Sequence, residues 1–296
     1  MPARGFVDDK GAKVPFEDVL AGKGKFTDHP RALVNALARQ SPRDYCEVHA
    51  SFVAGGLVQQ ELLKRRHDYW LKVDDVFYQM FGNAFHLLLE RRSDGTEVKR
   101  KEYCIKHKSG VVVGGQFDAL SVEQVGKRHV LWDYKTAAVY KAKMVKKDGV
   151  VIAAPEWCRQ LNIYRWLLLR APDSEFREFV DPELWKLMVY LFARDWRGYE
   201  ASKGKDYPAW GEKFEVPVED EEVVTEWIDK VVAQWVVARE AKDDDLPECP
   251  VDQLWNGKRC ESYCEVAEFC SQRRREKEFL SGDSKANEAA TGSEPD

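Results

Sequence analysis

The chain has 296 residues, 44% hydrophobic and 33% charged, with a formal net charge of −5. That length holds one sizeable domain, or a domain with a small appendage. No run approaches the ~18 apolar residues of a membrane span, and a net negative chain is not a polycation that coats nucleic acid with its whole surface.

Residues 1–45 mix glycine, proline and charge and read as a partly ordered leader. The stretch Met1 to Lys10 holds no apolar signal core, so a cytoplasmic location and a reducing environment are expected, with no membrane partner. Leu57 to His67 reads as a short helix. Asp75 to Glu90 reads as a stronger one, with Val76, Phe77, Met80, Phe81, Ala84, Leu87 and Leu88 at helical spacing and Asp74 or Asp75 as its cap. The pattern then turns strand-like. Glu97 to Lys106 alternates, Ser109-Gly110 signals a turn, and Val111-Val112-Val113 leads into Gln116-Phe117-Asp118-Ala119-Leu120. Gly126-Lys127 marks a second turn before Val130-Leu131-Trp132-Asp133-Tyr134. Three short strands with tight turns predict an antiparallel meander.

Glu156 to Arg170 returns to helix, with Leu161, Tyr164, Leu167 and Leu168 on one stripe. Trp185 to Ala193 is a near-continuous apolar run, as in a buried strand. Glu221 to Arg239 is amphipathic through Val224, Trp227, Ile228, Val231 and Trp235. This order predicts an α/β fold in which helices flank a mixed β-sheet. From Pro247 the chain is cysteine-rich and irregular. From residue 281 it is polar, lacks aromatics and is expected to be a disordered tail.

Asp118 and Asp133 both close apolar, strand-like runs, and Lys135 follows the second. Two carboxylates form a site for a hard divalent cation such as Mg²⁺ or Mn²⁺, with the backbone carbonyl of Tyr134 as a natural extra ligand. Strand alternation puts Asp133 and Lys135 on one face. An ammonium there would orient water or offset charge at phosphorus, as phosphodiester hydrolysis needs. By itself Asp-x-Lys is more commonly a strand-end ion pair. Further pairs stand at one-turn helical spacing: His86 with Glu90, and Gln160 with Tyr164. Each pair alone is also what an ordinary half-buried polar contact looks like.

Taken in order, Gly82-x3-His86-x3-Glu90, Gly115-x2-Asp118, Asp133-Tyr134-Lys135 and Gln160-x3-Tyr164 resemble the motif series of the PD-(D/E)XK nucleases. The likeness runs over roughly residues 45–240 and is nearest to the RecB- and AddB-like branch and phage-type exonucleases. Ala193-Arg194-Asp195-Trp196 and Asp206-Tyr207-Pro208 add to it. The resemblance implies a restriction-endonuclease-like core. It implies His86, Asp118 and Asp133 as metal ligands, Lys135 as the catalytic lysine, and Gln160 and Tyr164 as supporting residues. Glu90 would either ligate the metal or orient His86. The implied activity is metal-dependent DNA hydrolysis, exonucleolytic by preference, in recombination, repair or phage DNA processing within a bacterial or phage-infected cell. DNA is the expected partner, with a helicase or a single-strand annealing protein as a further one. A nucleic-acid-binding module without catalysis is the alternative.

Cys249, Cys260, Cys264 and Cys270 crowd a short stretch. Four thiols so close admit a zinc ion or a [4Fe–4S] cluster. Cys260-x3-Cys264-x5-Cys270 resembles the triad of the iron–sulfur members, whereas their fourth cysteine precedes the nuclease core and Cys249 does not. A cysteine–metal scaffold is thus the third reading. Arg273-Arg274-Arg275, beside this segment, is a candidate DNA-guiding run, as are Lys64-Arg65-Arg66-His67 and Lys99-Arg100-Lys101. The expected organisation is a leader over 1–45, a nuclease domain over 46–245, a cysteine-rich metal-binding segment over 246–280 and a tail over 281–296.

Overall fold

The computed structural model describes residues 3–7, 11–21, 23, 46–54, 56–92, 98–99, 102–123, 126–147, 150–151, 153–203, 207–250, 254 and 257–276. Most of the expected leader and all of the expected tail lie outside these residues, as do the side chains of Asp74, Asp75 and Glu90. Two units emerge. The larger takes residues 42–55 and 76–232; the smaller takes 1–41, 56–75 and 233–296. No described helix is long and apolar enough to cross a membrane.

In the larger unit the labelled elements are α1 (Val73–Arg92, from Val76 on), β1 (Glu102–Lys106), β2 (Val112–Gln116), β3 (Ala119–Val122), β4 (His129–Ala137), α2 (Pro155–Arg170), β5 (Trp185–Ala193), β6 (Gly211–Val216) and α3 (Glu221–Glu240, up to Val232). One sheet runs β6, β5, β4, β3 and Val98–Lys99. β4 and β5 are parallel, while β3 and β6 are antiparallel to their neighbours. A second sheet holds β1, β2 and Val48–His49. Mixed sheets flanked by helices are what the sequence predicts.

Both expected turns form. Gly110 and Gly126 take φ of 88° and 82°, conformations that glycine reaches without a Cβ penalty. The expected meander, however, parts in the middle: β2 pairs with β1 in one sheet and β3 with β4 in the other. The break falls at Phe117-Asp118, between two strands that period-2 alternation reads as one.

α2 begins with Pro155 at its first turn, where the missing N–H costs nothing. It is buried all round, beyond the one stripe expected. Leu161, Ile163, Leu167 and Leu168 are at or below 1% exposure, each such side chain stabilising by about 1.5–3 kcal/mol. Its polar residues find partners. Asn162 donates to Cys158 O and Pro217 O, Arg165 donates to Val180 O, and the Trp166 indole donates to Thr225 on α3. α1 corrects the expectation in the other sense. It buries Val76 and half-buries Met80, Phe85, His86 and Leu89, while Phe77, Phe81, Leu87 and Leu88 stay 44–52% exposed. The apolar spacing was real, but the helix turns a different stripe inward.

In the smaller unit Gly5–Val7 pairs with Lys13–Pro15 and with Trp70–Lys72. Its core gathers Ala3, Val58, Leu62, Tyr69, Ala238, Leu246, Val266 and Cys270. Arg65 ties the helix Leu57–Arg65 to the chain after α3, binding Glu61 at 2.8 Å and Asp243 at 3.2 Å.

Candidate active site

Asp118 occupies the gap where the two sheets of the larger unit part. The β3–β4 register sets Ala119 against Trp132, and one step further would set Asp118 across from Asp133. In place of a ladder bond, the Tyr134 N–H donates to Asp118 Oδ2 at 2.8 Å. The sheet break thus frees a carboxylate and the neighbouring strand anchors it.

α1 supplies one wall. A Cβ on Gly82 would stand 3.2 Å from Thr136 Oγ1, so the helix lies close on the end of β4. Phe85 packs on Phe192 of β5 with ring centroids 4.2 Å apart. One turn after Gly82, His86 Nδ1 comes within 3.1 Å of Asp118 Oδ1. α2 supplies the opposite wall. A Cβ on Gly115 would meet Tyr164 Cε1 at 2.8 Å and Leu167 Cδ1 at 3.0 Å, so the helix rests directly on the β2 backbone. The Gln160 amide donates to the Tyr164 hydroxyl at 2.5 Å, and the Lys135 ammonium donates to Gln160 Oε1 at 2.9 Å. Lys135 Nζ also stands 2.7 Å from Asp133 Oδ2. An unbroken chain of contacts therefore runs from Tyr164 through Gln160 and Lys135 to Asp133.

The two carboxyls titrate in opposite directions. Burial pushes Asp133 up to about 6, Lys135 opposes this and Asp118 adds to it. Asp118 is also buried, but the His86 bond and charge, the Tyr134 N–H and Lys135 together hold it below the usual carboxylate range. Neighbouring acids whose ionisation is pulled apart are characteristic of functional sites.

Asp133 Oδ2 and His86 Nδ1 are buried without a well-directed hydrogen bond, although a counter-group lies near each. An oxygen left this way fits a cation ligand. Among the described residues no three His, Cys, Asp or Glu side chains converge on one point. For Mg²⁺ that is no obstacle. The ion takes one or two carboxylates and completes its shell with water and substrate phosphate. Asp118 and Asp133 fit that role, with His86 and the Tyr134 carbonyl beside them; the side chain of Glu90 lies outside the described residues.

The cysteines are another matter. Cys249, Cys264 and Cys270 pack against the core of the smaller unit. Burial pushes Cys249 up to about 12 and Cys264 up to about 11, and neighbouring thiols add to both. A zinc ion or a [4Fe–4S] cluster held by this quartet requires its four thiolates to converge. Without a converging group of even three, the structure lends no support to the zinc or iron–sulfur expectation.

Two of the basic runs carry internal ion pairs, while Arg100 and Lys101 of the third lie outside the described residues. Arg273 reaches Glu276 and Glu261, Arg274 pairs with Asp244, and Arg275 lies 2.9 Å from Glu248. Arg65 and Arg66 share Asp243, and Lys64 sits over the Trp235 ring. The sequence alone assigned no role to Thr136, whose Oγ1 would crowd a Cβ at position 82, or to Asp195. The Asp195 carboxylate accepts the Val139 N–H at 2.6 Å and so closes the end of β4. The only sequence signal for it was its place in Ala193-Arg194-Asp195-Trp196.

A sequence profile described as the PD-(D/E)XK nuclease superfamily matches residues 32–271. Among solved structures, one titled "Crystal structure of SSO0001" aligns over 79% of this chain and 89% of that chain, with a TM-score of 0.46 and 14% identity. That likeness is too loose to carry an argument. No curated protein matches the sequence.

Proposed function

Because the chain belongs to the PD-(D/E)XK nuclease superfamily, we propose that it is a Mg²⁺- or Mn²⁺-dependent deoxyribonuclease that degrades DNA from its ends. The observation that carries this reading is the contact chain Tyr164–Gln160–Lys135–Asp133, facing the His86–Asp118 pair. Contacts of this kind among Tyr164, Gln160, Lys135 and Asp133, and between His86 and Asp118, support the roles the motif series implies.

Asp118 and Asp133 would hold the cation, with His86 and the Tyr134 carbonyl as further ligands. The cation supplies polarisation of the scissile phosphate and a lower pKa for its water. Lys135 places a fixed positive charge beside Asp133, where charge on the phosphoryl oxygens grows during in-line displacement. Gln160 points that ammonium, and Tyr164 holds Gln160. The buried setting limits competing water around these charges and strengthens each interaction.

End-dependence is supported by the resemblance of the motif series to phage-type exonucleases. The test is to offer purified protein with Mg²⁺ both linear and covalently closed circular DNA. Loss of the linear form alone supports an exonuclease; nicking or linearisation of the circle overturns that part. A metal on Cys249, Cys260, Cys264 and Cys270 is a separate proposal, supported by their spacing alone. Metal analysis with a visible spectrum decides among zinc, iron–sulfur and none.

A further inference from the structure

A second concave feature lies in the same unit as the acidic site. A cavity of about 320 Å³ is lined by Val139, Tyr140, Asp195, Arg197, Glu200 and Tyr207, within the range of small-ligand pockets. It is built on the ends of the strands that carry the site. The Arg194 N–H donates to Ala137 O at 2.9 Å, and the Val139 N–H donates to Asp195 at 2.6 Å. These bonds stitch the turn after β5 to the end of β4, the strand of Asp133 and Lys135. The Arg197 N–H to the Tyr207 hydroxyl, at 3.2 Å, fixes the other wall.

The lining chemistry is unusual for a surface hollow. Tyr140 is 69% exposed, so its ring does not serve the core. Two aromatic–cation pairs involve residues close in sequence to the lining ones: Lys203 lies 3.8 Å over the Tyr199 ring, and Arg194 lies 3.7 Å over Tyr78. In the cavity the exposed Tyr140 ring offers a π-face, Arg197 offers donors, and Glu200 and the second oxygen of Asp195 offer acceptors. Two carboxylates against one guanidinium disfavour a phosphate there. A planar heterocycle with amino and carbonyl groups on its edge uses all of these: it stacks on tyrosine, donates to carboxylate and accepts from arginine.

We propose that this cavity receives an unpaired nucleobase of the DNA strand, with the sugar–phosphate backbone running outside it toward Asp133. A paired base inside a duplex has its faces stacked and its Watson–Crick edge occupied, so the cavity makes the protein prefer single-stranded DNA. This rests on the nuclease reading for its substrate, and it is tested by binding rather than cleavage. In the Asp133→Asn background with EDTA, a labelled single-stranded oligonucleotide and a blunt duplex of equal length are titrated. Tyr140→Ala is expected to weaken single-strand binding about tenfold or more, the scale of one lost base–aromatic stack, and to leave duplex binding within about twofold. Tyr140→Phe, which keeps the ring, is expected to restore single-strand binding. An unchanged single-strand affinity, or an equal loss on both ligands, overturns the proposal. If the Tyr140 dependence appears while the wild type cleaves no DNA with Mg²⁺, the base pocket stands and the nuclease reading falls. If the wild type cleaves and Tyr140→Ala binds single strands like its parent, the reverse holds.

Discussion

Neither the four cysteines crowded into one short stretch nor the acidic residues form a closed group of three metal-binding side chains among the described residues. What sets the acidic site apart is that His86, Asp118, Asp133 and Gln160, spread over α1, the β2–β3 gap, β4 and α2, come within hydrogen-bond reach of one another or of Lys135. The difference lies in the scaffold under each set. Asp133 stands on a strand locked by pairing with β3 and β5, Asp118 in the gap beside it is held by the Tyr134 N–H, and His86 and Gln160 stand on helices whose close approach glycine permits. The cysteines lie along irregular chain and short turns, where closeness in sequence does not set the direction of a side chain. Rigid elements, more than proximity along the chain, make a site.

This comparison can be broken most sharply at Asp133. Asp133→Asn is expected to lower DNA cleavage by about 10³-fold or more, as removal of a central member of a catalytic set does. Cys264→Ser should change cleavage by less than about threefold in the same assay, since Cys264 packs on the core of the smaller unit and the exchange alters a single atom there. A larger loss in the cysteine variant would place function in the segment that shows no converging group.

Next come the residues that act on Asp133. Lys135→Ala should cost about 10²–10³-fold in kcat with DNA affinity little changed, the scale of one lost charge-stabilising donor. Gln160→Ala should cost about tenfold, because Gln160 positions Lys135 and touches no reacting atom. Equal losses in the two variants would break that order.

The scaffold itself gives a third test. Gly115→Val adds bulk where a Cβ already meets Tyr164 at 2.8 Å and Leu167 at 3.0 Å. Overpacking of this kind costs about 1–3 kcal/mol, read as a lower urea midpoint, and activity should fall with the displaced Tyr164. An unchanged midpoint would mean that α2 is free to move and does not seat the site.

Much of this was legible in the sequence, for reasons that can be stated residue by residue. Gly110 and Gly126 announced their turns because φ above zero is a local demand. Asp133, Lys135, Gln160 and Tyr164 were legible through the order and spacing of the motif series; strand and helix periods add that the members of each pair share a face. The sheet break at Phe117-Asp118 was hidden, since alternation continues across it. β6 was missed because Glu212, Lys213 and Glu215 dilute its apolar pattern, leaving Phe214 and Val216 alone buried. α1 was misjudged because the exposed Phe77, Phe81, Leu87 and Leu88 equal in number the apolar residues it turns inward, Val76, Met80, Phe85 and Leu89. Burial is decided by what a face meets, and spacing does not report that.

The smallest expected effect is at His129, which lies among Phe176, Phe179 and Trp185. Burial holds its imidazole below the ordinary value, so the folded protein keeps it neutral. The unfolded chain takes up the proton near pH ~6.5. Stability from this residue is therefore complete above that pH and lost as the pH falls toward the folded value. Melting curves should show His129→Phe gaining on the wild type below pH ~6.5. A constant difference from pH 8 to 5 would contradict the burial argument.

The most direct test of the central claim uses linear DNA with Mg²⁺, wild type beside Asp133→Asn, and a wild-type reaction in excess EDTA, with circular dichroism to confirm that both proteins are folded. Cleavage by the wild type with Mg²⁺ alone, and by neither control, is the predicted result. Cleavage by folded Asp133→Asn at the wild-type rate, or undiminished cleavage in EDTA, would contradict a metal-dependent site at Asp118 and Asp133.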